Sequence, residues 1–294
     1  MASSTTTVKP PRRPGLARRL VRAVSSGPAR IILLVVGFLW LLPSFGLLVS
    51  SFRPIGAQAT GWWNVIERPS QITLENYVNL LDDASMINAF VNSILITVPS
   101  AVLLVLIAAG AAYAFAWIRF PGRDVLFLIV VALLVVPLQI GLIPIASLFG
   151  DLGLFGTIPG VVIFHVGFGL PFAVFLLRNF FIGIPQELLE AARMDGASEW
   201  RVFSRVVFPL GIPAIASLLI FQFLWVWNDL LVALVFAGSD AAPLTVAIQQ
   251  QLRTFGASID VIAPGAFIQM VVPLIVFFAF QRHFVQGLLA GSQR

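Results

Sequence analysis

The sequence predicts an all-α membrane protein with six transmembrane helices, a helix-turn-helix in one cytoplasmic loop, and both termini cytoplasmic. Three observations carry this. Of 294 residues, 59% are hydrophobic and 11% charged, against roughly 45–50% and 25% in soluble domains. The charges sit between uncharged runs long enough to cross a bilayer, which takes about 20 predominantly apolar residues. Of the 18 basic residues, all but Arg53, Arg68 and Arg253 fall on one side of the resulting topology, which marks that side as cytoplasmic. The composition excludes a water-soluble enzyme, a disordered chain and a collagen-like fibre. The absence of cysteine excludes a thiol nucleophile and an iron–sulfur cluster. Two distant histidines, His165 and His283, argue against a histidine metal site.

Residues 1–30 form a basic tail carrying Lys9, Arg12, Arg13, Arg18, Arg19, Arg22 and Arg30 and no acid. It reads as a topology determinant in contact with anionic lipid. The first span, 31–52, is longer than the apolar stretch of about 7–15 residues in a cleaved signal, so it reads as a signal anchor. Further spans follow at 91–117, 125–148, 158–178, 213–236 and 262–281, making 31–281 one six-helix domain with a cytoplasmic tail at 282–294. Helices are required because each crossing segment must satisfy its own backbone hydrogen bonds, and the short alternating segments of a barrel are missing. Prolines interrupt the spans at Pro43, Pro99, Pro137, Pro144, Pro171 and Pro273. Each frees a carbonyl and permits a kink.

The cytoplasmic loop 179–212 is not linker-like. Pro185 suits a first helical position, and Glu187 favours the positive end of the helix dipole. Leu188, Leu189, Ala191, Ala192 and Met194 supply helix formers. Gly196 fits a left-handed stop and Ser198 a second N-cap. Phe203, Val206, Val207 and Leu210 then share one face of a second helix, with Pro209 and Pro213 marking its passage into the fifth span. Such a hairpin in a soluble protein suggests DNA binding. Here Glu187, Glu190, Asp195 and Glu199 outnumber three arginines, and phosphate binding needs a basic surface, so nucleic acid is rejected. Residue shape alone leaves two readings open: a hairpin lying on its own bundle, or a small-residue surface that docks a partner.

At these residues the sequence resembles the permease subunits of bacterial ATP-binding-cassette importers. Their cytoplasmic signature is E-A-A, three residues, G, nine residues, I-x-L-P. Here it stands as Glu190-Ala191-Ala192, Gly196 and Val206-Val207-Phe208-Pro209 with every spacing kept, Val replacing Ile and Phe replacing Leu. The likeness narrows to the carbohydrate group, and within it to the shorter, second permease of maltose-type systems. It rests on Ile72-Thr73-Leu74-Glu75-Asn76-Tyr77, Asn92-Ser93, Ala111-Ala112-Tyr113, Arg119-Phe120-Pro121-Gly122-Arg123, Trp227-Asn228-Asp229 and the tail from Gln281-Arg282 to Gly287 and Gly291. The basic tail is not covered.

The resemblance implies a bacterial cytoplasmic-membrane subunit importing a sugar or oligosaccharide. Its partners would be a second permease, two ATPase subunits and an extracytoplasmic solute-binding protein. Glu190, Ala191, Ala192, Asp195, Gly196 and Pro209 would form the element that couples to the ATPase. No phosphate-binding G-x-x-x-x-G-K-[ST] occurs, so ATP and Mg are expected on the partner ATPases, with no cofactor and no catalysis in this chain.

Candidates along the substrate path are the polar residues within the spans, Asp229, Asn228, Gln139 and His165, with Gln222 and Gln269 weaker. An intramembrane acid usually faces a cavity or a partner. Asp229 therefore reads either as a sugar or gating contact or as an interhelical or helix-end hydrogen bond. Pro137, Gln139 and Pro144 mark the third span as a candidate cavity wall. Two other transport classes stay open. One is an ion-coupled secondary transporter acting alone, which would show more embedded ionisable residues and often an inverted repeat. The other is an importer of the same class with a non-sugar cargo.

Overall fold

The computed structural model describes residues 27–58, 61–253 and 259–291. The expectations for the basic tail up to residue 26 lie outside them. The chain forms α1 (Gly27–Ser51), α2 (Ile55–Gln58), α3 (Glu75–Asp82), α4 (Ala84–Trp117), α5 (Arg123–Leu133), α6 (Leu138–Asp151), α7 (Ile158–Phe181), α8 (Gln186–Met194), α9 (Glu199–Val202), α10 (Phe208–Trp227), α11 (Leu231–Phe236), α12 (Leu244–Arg253) and α13 (Ile259–Gly291). Among the described residues five helices are long and apolar enough to cross a membrane, and the bent pair α5–α6 makes six when counted as one span. Among the described residues the only β structure is one bridge between Gly156 and Ala237.

Three boundaries differ from the sequence expectation, each for a local reason. The second span begins at Ala84 rather than 91. The Asp83 carboxylate accepts from the Ser85 backbone N–H at 2.8 Å and its hydroxyl at 2.7 Å, capping the helix a full two turns early. These bonds, the hydroxyl one foremost, hold the Asp83 carboxyl below its ordinary value. The third span is not one straight helix: α5 and α6 meet at 102°. Pro137 ends the bend in an extended conformation (ψ 133°), and its missing N–H and ring keep α5 from running straight through it. The fifth span ends at Trp227, short of the expected 236, and α11 follows as a separate short helix.

The expected second cytoplasmic helix is also not separate. Residues from Glu199 to Trp227 form one apolar helix interrupted by a π turn at Phe203–Val207. That wider turn rotates the remainder of the helix. Phe203 and Val207 are buried as expected, but the next buried position is Gly211 and Leu210 is exposed. Past the turn Ala214, Ile215 and Leu218 continue the buried stripe.

The core is centred on α4. Its Ala108, Ala109 and Ala112 are fully buried in one cluster with Ala173, Leu177 and Phe181 of α7 and Ala214, Ile215 and Leu218 of α10. Small residues let membrane helices approach closely, where van der Waals packing takes the place of a hydrophobic driving force. Gly211 shows how tight the fit is, since a Cβ there would stand 2.6 Å from Cε1 of Phe181. By contrast, Ile31, Leu34, Phe38 and Trp40 of α1 point outward, as a lipid-facing surface does.

Candidate functional site

The inner end of the bundle carries the hairpin. Pro185 precedes α8, which ends in a left-handed Gly196 (φ 80°). Gly196 N–H donates to the Arg193 carbonyl at 3.0 Å and Ala197 N–H to the Ala192 carbonyl at 3.0 Å, the paired closure that a C-terminal glycine permits. Ser198 takes the N-cap position of α9 without a capping bond from its side chain.

The hairpin is seated on the bundle rather than tethered to it. Leu189, Val202, Phe203 and Val207 belong to the same core cluster as Tyr113, Leu177 and Phe181. Its other side faces outward, with Glu190, Ala191, Asp195 and Gly196 exposed. Glu190 accepts from Nε2 of Gln186 at 2.6 Å. Ala192 is half-buried against the bundle, and Pro209 is exposed in the first turn of α10. Sequence reasoning took Met194 (84% exposed) only as a helix former and passed over Trp200 (72% exposed). The signal was a tryptophan and a methionine in an otherwise polar stretch.

A polar network ties the hairpin to α4. Arg193 donates from Nε to Oε1 of Glu199 at 2.9 Å and from Nη2 to Oε2 at 3.2 Å. The Tyr113 hydroxyl donates to the same Oε2. The bond to Glu199 holds the Arg193 guanidinium above its ordinary value.

At the outer end, Trp227, Asn228 and Asp229 stop α10, and each does something different. Pro273 of α13 has no N–H, which leaves the Gln269 carbonyl without a partner in its own helix. Nε1 of Trp227 donates to that carbonyl at 3.0 Å. Asn228 Nδ2 donates to the Leu224 carbonyl at 2.8 Å. Asp229 accepts from the backbone N–H groups of Val232 (3.3 Å) and Ala233 (3.0 Å), capping α11. The helix-end hydrogen bond expected of Asp229 is present.

The segment after α11 folds back over α4. Asn92 Nδ2 donates to the carbonyls of Asp240 (2.9 Å) and Ala242 (3.1 Å), and Ser93 Oγ accepts from Leu244 N–H at 2.8 Å. Thr245 Oγ1 donates to the Asp229 carbonyl at 2.8 Å.

The structure brings His165 and Asp229 together, with Nε2 at 3.7 Å from Oδ2, beyond hydrogen-bond reach. Both line a cavity of about 10 Å³ with Ser93 and Thr97, on the order of the space for one water. Asn228 opens instead onto a groove of about 530 Å³ that it shares with Thr245, Gln249 and Gln269. Gln139 joins neither and stands exposed on α6, just past the bend. Among the described residues no cluster of three or more histidines, aspartates or glutamates has metal-holding geometry.

Comparisons with known proteins place this arrangement. A family described as "binding-protein-dependent transport system inner membrane component" matches residues 83–289. The osmoprotective compounds uptake permease protein GgtD of Synechocystis is 50% identical over 90% of this chain and 91% of that protein. The alpha-glucoside transport system permease protein AglG of Rhizobium meliloti is 48% identical over 83% of this chain and 66% of that protein. In fold, a chain of a bacterial ABC transporter involved in alginate import superposes with a TM-score of 0.73. It covers 93% of this chain and 99% of its own length at 23% identity.

Proposed function

The chain belongs to the binding-protein-dependent transport system inner membrane components, and from that premise we propose that it is one permease subunit of an ATP-driven importer for a sugar or oligosaccharide. It spans the bacterial cytoplasmic membrane several times, pairs with a second permease, and works with two ATPase subunits and an extracytoplasmic solute-binding protein. The observation that carries the proposal is the hairpin: a rigid projection with the family's E-A-A and glycine spacing, packed into the bundle core on one side and exposed on the other.

The mechanism follows from linkage. Two arrangements of a helix bundle exchange populations only when a partner binds one better than the other. Closure of an ATPase pair around the exposed face, through Glu190, Ala191, Met194, Asp195 and Trp200, supplies that difference. The buried face passes it to α4 and α7. ATP and Mg act on the ATPase subunits, and this chain contributes motion rather than chemistry. On the outer side we assign the substrate path to the groove at Asn228, Thr245, Gln249 and Gln269. Its amide and hydroxyl groups suit sugar hydroxyls, while Asp229 and His165 shape the wall behind it.

The relative AglG, named for alpha-glucosides, supports the sugar reading. The name of GgtD favours a second cargo class, an osmoprotective solute. Uptake of radiolabelled α-glucosides and of labelled osmoprotective solutes, by a strain lacking this chain and by the complemented strain, tests both. Loss of α-glucoside uptake restored by complementation supports the first reading. Loss confined to osmoprotective solutes supports the second, and unchanged uptake of both overturns the proposal.

A further inference from the structure

The hairpin is joined covalently to α7, through residues 182–185, and to α10, with which α9 is continuous. It has no covalent link to α4, although α4 is the centre of the core. Beyond apolar packing, what joins them is the side chain of Tyr113. The residue is buried (4% exposed) and lies four residues before the inner end of α4. Its ring packs against Phe203 of the π turn at 5.2 Å between centroids. Its hydroxyl donates to Glu199, the first residue of α9, whose carboxylate is gripped from α8 by Arg193 through two further hydrogen bonds. One carboxylate therefore receives donors from both arms of the structure: α8 on the far side of the Gly196 turn, and a membrane span distant in sequence.

Resting on the reading of the hairpin as the ATPase contact, we propose that Tyr113, Glu199 and Arg193 form the linkage that registers the hairpin against α4, and that Tyr113 is the positioning residue through which the stroke reaches the centre of the bundle. The physical case is one of stiffness. Apolar contacts allow neighbouring helices to slide, because dispersion is non-directional. A charge-assisted hydrogen bond fixes both distance and direction. The two Arg193 bonds close α8 onto α9, so the hairpin moves as one body. The Tyr113 bond then prevents that body from rolling on α4 about the apolar Phe203 contact. Without it, the hairpin remains docked and packed, but part of the ATPase stroke is lost as sliding at the α4 surface.

The test uses the complete importer in proteoliposomes: this chain, the second permease, both ATPases and the loaded binding protein. Tyr113→Phe keeps the ring against Phe203 and removes only the hydroxyl. The expected result is that ATP hydrolysed per solute transported rises about tenfold, the scale of one hydrogen bond to a charged group, while the assembly co-purifies in unchanged yield. Glu199→Gln should raise the ratio similarly, and the double variant should be no worse than the single ones. A network that acts as a unit behaves this way, whereas independent packing defects would multiply. Glu199→Asp, retaining the charge, should recover part of the coupling. An unchanged ratio in Tyr113→Phe, or multiplicative effects in the double variant, overturns the proposal. A cross-link from Met194→Cys to the ATPase, recorded on the same samples, separates the two levels. If the cross-link forms and the ratio does not move, this linkage is refuted and the importer reading stands. If no cross-link forms even with Tyr113 intact, both fail.

Discussion

Trp227→Phe combined with Pro273→Ala isolates one hydrogen bond at the outer end of the bundle. Pro273 removes the donor that would occupy the Gln269 carbonyl, and Trp227 Nε1 replaces it at 3.0 Å. The indole is 3% exposed, whereas Gln269 also lines the outer groove, so the carbonyl is partly shielded from water when the donor is lost. An unpaired buried acceptor costs about 1–3 kcal/mol, whereas side-chain hydrogen bonds measured within membranes average about 0.6 kcal/mol. The expected energy of this one bond is therefore about 1 kcal/mol. Trp227→Phe also loses packing against Phe90 and Phe223, whose rings lie 6.0 and 5.6 Å away, and that loss is independent of Pro273. Pro273→Ala supplies an N–H to the Gln269 carbonyl from within α13, so in that background the tryptophan donor is redundant. A double-mutant cycle on the thermal midpoint of the detergent-solubilised protein should show coupling of about 1 kcal/mol, or roughly 2–4 °C. Strict additivity of the two changes would refute the orphan-carbonyl argument.

Other perturbations test the remaining joints. Glu190→Lys and Gly196→Asp should each abolish uptake while membrane insertion is retained. The first reverses a charge on the exposed face; the second forces a side chain into the left-handed region at a cost of about 1–2 kcal/mol. Normal uptake at normal expression would remove the hairpin from the mechanism. Gly211→Val should destabilise by about 1–3 kcal/mol by pressing on Phe181, read as a lowered thermal midpoint. A midpoint unchanged by Gly211→Val would show that α7 and α10 are not in close contact. Asp83→Ala should cost about 1 kcal/mol by uncapping α4, and Asp83→Asn, which keeps an acceptor, should recover much of it.

What the sequence made legible was local. The hairpin was readable because its determinants lie within one stretch: an acid near the start of α8, alanines along it, and a glycine whose left-handed φ closes it. The spans were readable because an apolar run between charges has few other fates in a membrane protein. The bend before Pro137 was only half legible. Proline announces a break but not its angle, which depends on what packs against the two halves. The π turn had no sequence signature, and it moved the buried face from Leu210 to Gly211. The linkage of Tyr113 to Glu199 spans 86 positions, and no periodicity connects residues so far apart. The cap that Asp229 makes was not legible either, since nothing in the sequence marks where α11 starts beside it.

The central claim is that an ATPase made by another chain grips the exposed face of the hairpin. Because this protein contains no cysteine, a single cysteine placed by Met194→Cys reports that face alone. Thiol cross-linking on the intact purified assembly should join this position to an ATPase subunit, with a yield that changes when a non-hydrolysable ATP analogue is added. Failure to cross-link to any ATPase in an assembly that transports its solute would contradict the account.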